Sequence, residues 1–505
     1  MSETGPAPKT NSRRLPQLGD LLAGLSVALI AIPQALAYAE LAGMPPYTGL
    51  YAVAVSALFA AFFVSSPYLQ TGPVATTSLL TVGVLSQVAE IQTPDYVAAA
   101  GLLALIVGGV RILIGVFQLG PLAYLMSYPV LRGFTSAAAV LIFASQLPTA
   151  LGVSPSVSGI LPSAFWTLSH PQLWRIDAIG LSIFTLIAIL LGRRVHPLFP
   201  GVLVAVAGGI LASQHLGYGG VTVGAIPTDW ISLNLLLPWQ QLPSLLLGGV
   251  IIALVGFSEA SSIARTYATL ERSRWSANRE FVSQGVANLA SGLFGGFPVG
   301  GSFSRSSVGH MAGAKTRWSG AITGLAVCVV LPFASLFSSL PKASLGAIVI
   351  AAILSLFRFS DLTGLWQMSR PQALLGCLTF GLTLALSPRI DLAVLIGILL
   401  AIGVHLWREQ HLVLTTWQEG ASLHFEPHGV LWFGSAYRLE EALSDMLSEN
   451  DGERLVLHLG GLGRIDLSAA LMIQQLIGDA KLAGLEVELE SIPPSAERWV
   501  TKLWQ

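Results

Sequence analysis

The chain contains little charge. Only 10% of its 505 residues are Asp, Glu, Lys or Arg, while 53% are hydrophobic, and an ordinary soluble domain has about 25% charged residues. The formal net charge is -1 and no basic stripe is present, so we expect no nucleic-acid partner, because such proteins show a basic excess. Cysteine is also scarce. Cys328 and Cys377 both lie in apolar runs, which predicts neither a disulfide nor a redox role.

Motifs for enzyme chemistry and nucleotide binding are missing as well. The nine histidines show no metal-ligand spacing, and the sequence has no Gly-rich nucleotide loop and no nucleophile elbow. We therefore expect no enzyme activity, no metal, no cofactor and no energy supply from bound ATP. Residues 1–19 are polar, and the apolar run that follows has no cleavage site, which predicts a cytosolic tail and a first span.

What the chain does have is long apolar runs, which predict a polytopic α-helical membrane domain over 20–408. Its partner is the lipid bilayer. Glycine, proline and charged residues interrupt the apolar runs and divide this domain into fourteen segments, seven in about 20–218 and seven in about 240–408. The segments are predicted at 20–41, 48–65, 73–88, 96–118, 129–150, 173–192, 198–216, 242–266, 277–294, 304–313, 318–338, 343–357, 371–387 and 390–407.

The distribution of Lys and Arg supports an even number of spans. With the N-terminus inside, these residues collect in the predicted cytosolic loops, whereas Arg175, Lys342 and Arg389 fall outside. We expect a multi-pass protein of the inner (plasma) membrane with both termini in the cytoplasm.

The two halves resemble each other. Setting VALIAIPQALAYA (27–39) over IALVGFSEASSIA (252–264) pairs Gln34 with Glu259. The third segment (68–80) and the tenth (297–309) each put Gly and Pro into or just before a run of Ser and Thr. An odd number of spans per half inverts the second half. Inverted repeats with breaks at matching places are typical of transporters, with the binding site at the breaks.

Each broken segment is predicted to be a short extended piece that leads into a half-helix. Tyr68–Thr71 would be extended and Pro73 would stand in the first turn of one half-helix. Ser302 or Ser304 would cap the other. Because helix N-termini carry free N–H groups and a partial positive charge, two that face each other predict an anion site.

The candidate substrate-binding residues lie at these breaks and in the first span. Arg305 is a cation inside a span, which marks a functional site by default; the alternatives are a structural partner for Glu259 or a snorkelling side chain. Hydroxyl groups near the half-helix ends would contact substrate or serve helix packing. The predicted set is Gln34, Ala75, Thr76, Thr77, Ser304, Arg305 and Ser306.

Glu259 is interpreted as the other charge inside a span. An isolated carboxylate in apolar surroundings favours its neutral form, so Glu259 is a candidate for proton coupling; a structural salt bridge is the alternative. Gln34 follows Pro33, and its amide would bind substrate or satisfy the carbonyl that Pro33 frees. Arg111 and Arg132 are predicted at a helix end or in a packed polar contact, outside the pathway.

Four stretches together resemble a known family. They are GLSVALIAIPQALAYAELAGMPPYTGLY (24–51), LQTGPVATTSLL (69–80), GFSEASSIARTYA (256–268) and FPVGGSFSRSSV (297–308). They are similar to the SulP family of anion transporters, the solute carrier group that includes prestin and pendrin. The resemblance implies two inverted repeats of seven with a nucleobase-permease fold. It also implies a core domain, made of spans one to four and eight to eleven, that moves against a gate domain. It also implies substrate between the third and tenth half-helices, and a homodimer.

The family carries a cytosolic STAS domain, and residues 409–505 fit it. Strand patterns at 421–425, 430–433, 454–459 and 484–489, with helical patterns at 435–447 and 467–483, predict a small α/β unit. Ser468 is interpreted as a helix start rather than a phosphorylation site.

The leading functional hypothesis is a secondary active anion transporter that works by alternating access. A carboxylate or dicarboxylate carried with a proton is the preferred substrate, on the ground of Glu259. The alternatives are a sulfate, bicarbonate or chloride transporter or exchanger, and, from other classes, an anion channel or a sensor module.

Overall fold

The computed structural model describes residues 15–504, except 125, 197, 228–230, 358, 411, 450–451 and 495–496. Most of the predicted N-terminal tail therefore lies outside the described residues. The chain divides into two compact units, the first ending at Ile398 and the second beginning at Leu399.

The first unit is helical. Its helices, which we number α1 to α16, are Leu18–Leu41, Pro46–Phe63, Ala75–Leu85, Pro94–Val116, Tyr128–Leu151, Ile160–Ser169, Ile176–Val195, Gly201–His215, Leu242–Leu270, Ala277–Leu293, Phe303–Met311, Trp318–Val330, Lys342–Ile353, Phe359–Met368, Arg370–Ala385 and Ile390–Glu409, the last of which extends into the second unit. Two three-residue strands, β1 (Gln70–Gly72) and β2 (Gly300–Ser302), precede α3 and α11.

Each of the fourteen predicted segments coincides with one of these helices. Sequence analysis did not predict α6 and α14, which have ten residues each. They lie at matching places, between the fifth and sixth predicted segments of each half, so the order of elements is the same in both halves. Eight helices of the described chain are long and apolar enough to cross a bilayer. The count of fourteen spans stays a prediction.

Local sequence accounts for several helix ends. Thr93 precedes Pro94 at the start of α4, and its hydroxyl accepts the N–H of Tyr96, which is a standard N-cap arrangement. Helix α5 ends at Leu151 and is followed by Gly152, whose φ of 69° is the left-handed conformation that glycine adopts without strain. Pro33 lies inside α1.

The helices pack in two groups. Helix α10 packs against α2 and α4, α9 packs against α3 and α4, and α12 packs against α1 and α2. In the other group α5 packs against α7, α13 and α15. The first group contains both broken segments, and the grouping is the one that the family resemblance implied for the core and gate domains.

Within its described residues, the second unit has a five-stranded sheet, two long helices and a short helix at Glu497–Trp499. Strands β3 (Val413–Glu419), β4 (Ser422–Leu431), β5 (Arg454–His458) and β7 (Glu486–Glu490) form the main sheet in that order, and β6 (Leu462–Ile465) pairs with β4. Helices α17 (Ala436–Glu449) and α18 (Leu467–Leu482) share its apolar core. The strands predicted at 421–425 and 430–433 are one strand, and β3 and β6 were missed. Asp466, not Ser468, caps α18, since its Oδ1 accepts the N–H of Ala469.

Candidate functional site

The two broken segments meet. Strands β1 and β2 pair antiparallel, with Gln70 opposite Ser302 and Gly72 opposite Gly300. Each strand leads directly into a short helix, so the pairing holds the N-terminal ends of α3 and α11 at one place. The extended piece predicted at 68–71 is shifted to 70–72. Pro73 is not in the first turn of α3, because Val74 is the N-cap and the helix begins at Ala75.

Ser302 caps α11. Its hydroxyl accepts the N–H of Arg305 at 3.4 Å, whereas Ser304 lies inside the first turn, half-buried. Ser306 is fully buried, and its Oγ accepts the N–H of Gln70 at 2.9 Å. The Ser306 hydroxyl therefore joins α11 to β1, which is a structural contact at the position predicted for substrate binding.

Arg305 is the central side chain of the site. Its residue is 1% exposed, and Nη2 donates to the carbonyl of Pro73 at 2.9 Å. Nε and Nη1 are buried and have no partner among the residues that the structure describes. A Cβ on Gly72 would lie 3.1 Å from Nη2, so glycine gives the guanidinium its close approach to β1. Arg305 is not a snorkelling side chain.

Glu259 contacts the first turn of α3. Its Oε2 accepts a hydrogen bond of 2.6 Å from Thr76 Oγ1. Glu259 also lies within electrostatic range of Arg305. No ion pair within 4.0 Å joins Glu259 to Arg305 in the described chain. The carboxylate therefore lies beside both half-helix ends and forms no close salt bridge with Arg305.

Three residues of the predicted set remain, which are Thr77, Ala75 and Gln34. Thr77 is buried and its hydroxyl donates to the carbonyl of Val74, a local bond within the helix start. Ala75 is the first residue of α3. Gln34 is 1% exposed, and its Oε1 has no partner in the described structure. It precedes Tyr38 by one helical turn, so both side chains share one face of α1. The alternative in which Gln34 satisfies a carbonyl freed by Pro33 finds no such hydrogen bond in the described residues.

Sequence analysis missed the polar residues that hold the breaks. Glu280, Gln284 and Asn288 are fully buried on α10 and stand four residues apart, which places them on one helix face. Asn288 accepts the N–H of Val299 at 2.9 Å and donates to its carbonyl at 3.1 Å, while Gln284 donates to the hydroxyl of Thr71 at 2.7 Å. This spacing within an apolar span was the signal that could have found them.

The interpretation of Glu259 as the other charge inside a span was wrong, because other buried charges exist. Glu280 accepts the N–H groups of Ser65 and Ser66 at 3.1 and 3.0 Å, and Asp20 accepts those of Lys315 and Thr316, both at 2.8 Å. Both carboxylates anchor loops that flank the broken segments.

The two other arginines are in packed polar contacts, as predicted. Arg132 pairs with Asp361 at 3.3 Å. Arg111 is fully buried and donates to three backbone carbonyls.

The chain is similar to known proteins over both of its units. Residues 18–379 match the sulfate permease family, and residues 415–503 match the STAS domain. The chain belongs to the sulfate permease family. It is a polytopic integral membrane protein with a C-terminal STAS domain, and members of this family are transporters rather than enzymes.

Individual relatives are similar over most of this chain. It is 32% identical to the chloroplastic sulfate transporter 4.1 of Arabidopsis thaliana over 78% of this chain and 59% of that protein. It is 33% identical to a probable sulfate transporter of Mycobacterium tuberculosis over 76% of this chain and 69% of the other. The match thus spans about three fifths of the length of the plant relative.

A solved structure shares the fold. The structure of murine solute carrier 26 family member A9 in the inward-facing state matches with a TM-score of 0.89 at 19% identity, covering 96% of this chain and 87% of that one. The likeness extends through both units of the chain.

Proposed function

We propose that this protein is a secondary active transporter for a small anion, which binds between the N-terminal ends of α3 and α11. The observation that carries the proposal is the fully buried guanidinium of Arg305, which keeps two unpaired nitrogens beside these helix ends. Buried donors favour a partner strongly, because leaving them unpaired costs about 1–3 kcal/mol each.

The backbone adds to this attraction. The first N–H groups of an α-helix have no partner within the helix, and they carry a partial positive charge. The β1–β2 pairing brings two such ends together, and irregular backbone inside a membrane protein is tolerated where it lines a polar site. An anion is the ligand that satisfies both helix ends and Arg305.

Sulfate is the first substrate to test. The guanidinium presents N–H donors in fixed directions to the oxygens of an oxyanion. The printed names of the two relatives describe a sulfate transporter and a probable sulfate transporter. Bicarbonate, chloride and dicarboxylates follow as competing substrates.

Proton coupling through Glu259 is part of the proposal. The contact between Glu259 and Thr76 puts a carboxylate at the edge of the proposed anion site. A proton on this carboxylate would offset the charge of an incoming anion, which favours loading both together.

Purified protein in proteoliposomes tests the function. Labelled sulfate, bicarbonate, chloride and succinate are supplied separately, with and without an inward proton gradient. We expect accumulation of at least one anion above its equilibrium level, driven by the gradient. Flux that only equilibrates the anion would support a channel, and uptake of none of the four would refute anion transport. Uptake after removal of 409–505 would argue against the sensor alternative.

Location and assembly complete the proposal. We place the protein in the plasma membrane with cytoplasmic termini and as a homodimer. Protease digestion of the C-terminal unit in inside-out vesicles tests the cytoplasmic location of that terminus. The mass of the purified protein, corrected for bound detergent, tests the homodimer.

A further inference from the structure

A second buried cation stands behind the proposed anion site. The guanidinium of Arg111, on α4, is fully buried. Nε and Nη2 donate to the carbonyls of Ala253 and Ile252 in α9 at 3.0 and 3.3 Å, and Nη1 donates to the carbonyl of Val299 at 3.0 Å. These acceptors are neutral, and no carboxylate pairs with Arg111 among the residues that the structure describes.

A buried charge of this kind is costly. Moving an ion out of water costs several kcal/mol even after relaxation, and an apolar side chain of similar volume is often as stable or more stable. Membrane proteins keep such charges mainly where function requires them.

The loop before β2 does not require the charge of Arg111 to stay in place. Val299 is already held by two hydrogen bonds to the side-chain amide of Asn288. A neutral side chain at position 111 would therefore leave the loop before β2 attached to α10.

Arg111 lies next to the elements that form the anion site but not in it. A Cβ on Gly256 would lie 2.6 Å from Arg111 Nη2 and 2.9 Å from Thr77 Cγ2, in the first turn of α3. Val299, which accepts from Arg111, is the residue immediately before β2. The guanidinium thus contacts the second broken segment through Val299, and Gly256 lies between it and the first turn of α3.

We propose that Arg111 is a specificity-determining residue, which supplies a fixed positive charge that favours divalent over monovalent anions. The inference rests on the proposed anion site. Because Coulomb energy is the product of the two charges, Arg111 attracts a divalent anion with twice the energy of a monovalent one. Burial protects this attraction from screening by salt.

The size of the effect follows from the separation. For a separation on the order of 10 Å and an effective dielectric constant of about 20, removing the charge weakens binding of a monovalent anion roughly tenfold. A divalent anion then loses roughly the square of that factor, about a hundredfold.

Equilibrium binding to the purified full-length protein tests the proposal. Sulfate and chloride affinities are measured by direct binding and competition at pH 7.5 for wild type, Arg111→Gln and Arg111→Lys. We expect Arg111→Gln to reduce the preference for sulfate over chloride about tenfold. Arg111→Lys keeps the charge and should keep the preference, even if its overall affinity changes. Asn288→Ala is the matched structural control and should weaken both anions by one common factor.

Each outcome is decisive. Equal loss of both anions in Arg111→Gln would show that Arg111 acts only in packing and would overturn the inference. If Arg111→Gln does not yield monodisperse protein, Arg111→Met takes its place as the neutral variant of similar length. An altered preference in Arg111→Lys despite the retained charge would refute the electrostatic role. A wild type that binds neither anion would refute the proposed function instead.

Discussion

Replacing Arg305 should weaken anion uptake far more than replacing Arg132, which lies on α5 in the second group of helices. Arg305→Ala removes a buried guanidinium whose Nε and Nη1 are unpaired, together with the bond from Nη2 to the carbonyl of Pro73. The first loss acts on the ligand and the second acts on the protein, so the two effects can be measured separately.

The magnitude follows from the number of free donors. A hydrogen bond that involves a charged group contributes about 1.5–3 kcal/mol. Two such bonds to an anion amount to about 3 kcal/mol or more, which corresponds to a rise of over a hundredfold in the half-saturation concentration at about 1.4 kcal/mol per factor of ten. Arg305→Lys keeps one positive charge but not the planar fork, so we expect a rise of roughly tenfold.

Initial rates of uptake into proteoliposomes measure this effect for the anion that wild type transports best. Only variants that elute as one symmetric species in gel filtration are compared. The control is Arg132→Ala, since Arg132 is partly exposed and pairs with Asp361; such pairs contribute about 0–1 kcal/mol, and uptake should stay within about fivefold of wild type. Wild-type kinetics in monodisperse Arg305→Ala would remove Arg305 from the site and leave the helix ends alone as its basis.

Two further changes probe the same site. An inward gradient of one pH unit can drive about tenfold accumulation of the anion per proton carried. Because Glu259→Gln cannot release a proton, the gradient should drive no accumulation in this variant, while anion exchange continues. Full gradient-driven uptake would make Glu259 structural. Ala75→Leu and Ser304→Leu should block uptake because the backbone N–H groups at the half-helix ends need close approach. Gly381→Leu, where no atom lies within 4 Å of the added Cβ, should transport normally; equal activity in all three would contradict the convergence of α3 and α11.

Sequence patterns predicted the broken segments but could not show how they meet. Glycine and proline near 72 and 298–301 interrupt apolar runs, which is a local signal. The pairing of Gln70 with Ser302 joins residues far apart in the chain, and three-residue strands carry no periodicity that would reveal a partner. The prediction of an anion site was reached from the symmetry of the two halves instead.

Buried polar contacts were the least predictable part. Arg111 stands in an otherwise apolar run, and the sequence indicates a polar contact without showing that carbonyls of α9 accept from it. In the second unit, two strands were predicted at 421–425 and 430–433, yet β4 continues through Pro427 and Gly429. The irregularity is absorbed by a register shift between Gly429 and Val430, where β4 pairs with β6.

The formal charges of the site make one last prediction, on the stoichiometry of transport. Arg305 and Arg111 contribute two positive charges and an ionised Glu259 one negative charge, so these three side chains together carry a surplus of one positive charge before substrate binds. Chloride would neutralise that surplus by itself, whereas sulfate would leave one negative charge unless Glu259 takes up a proton. Because a net charge buried in low dielectric is costly, we expect about one proton to accompany each sulfate and none to accompany chloride. A pH-sensitive dye inside proteoliposomes, read together with tracer flux, measures the ratio for each anion. Equal proton flux with both anions would show that the three side chains do not share one charge balance, and Glu259 would then respond to conformation rather than to substrate charge.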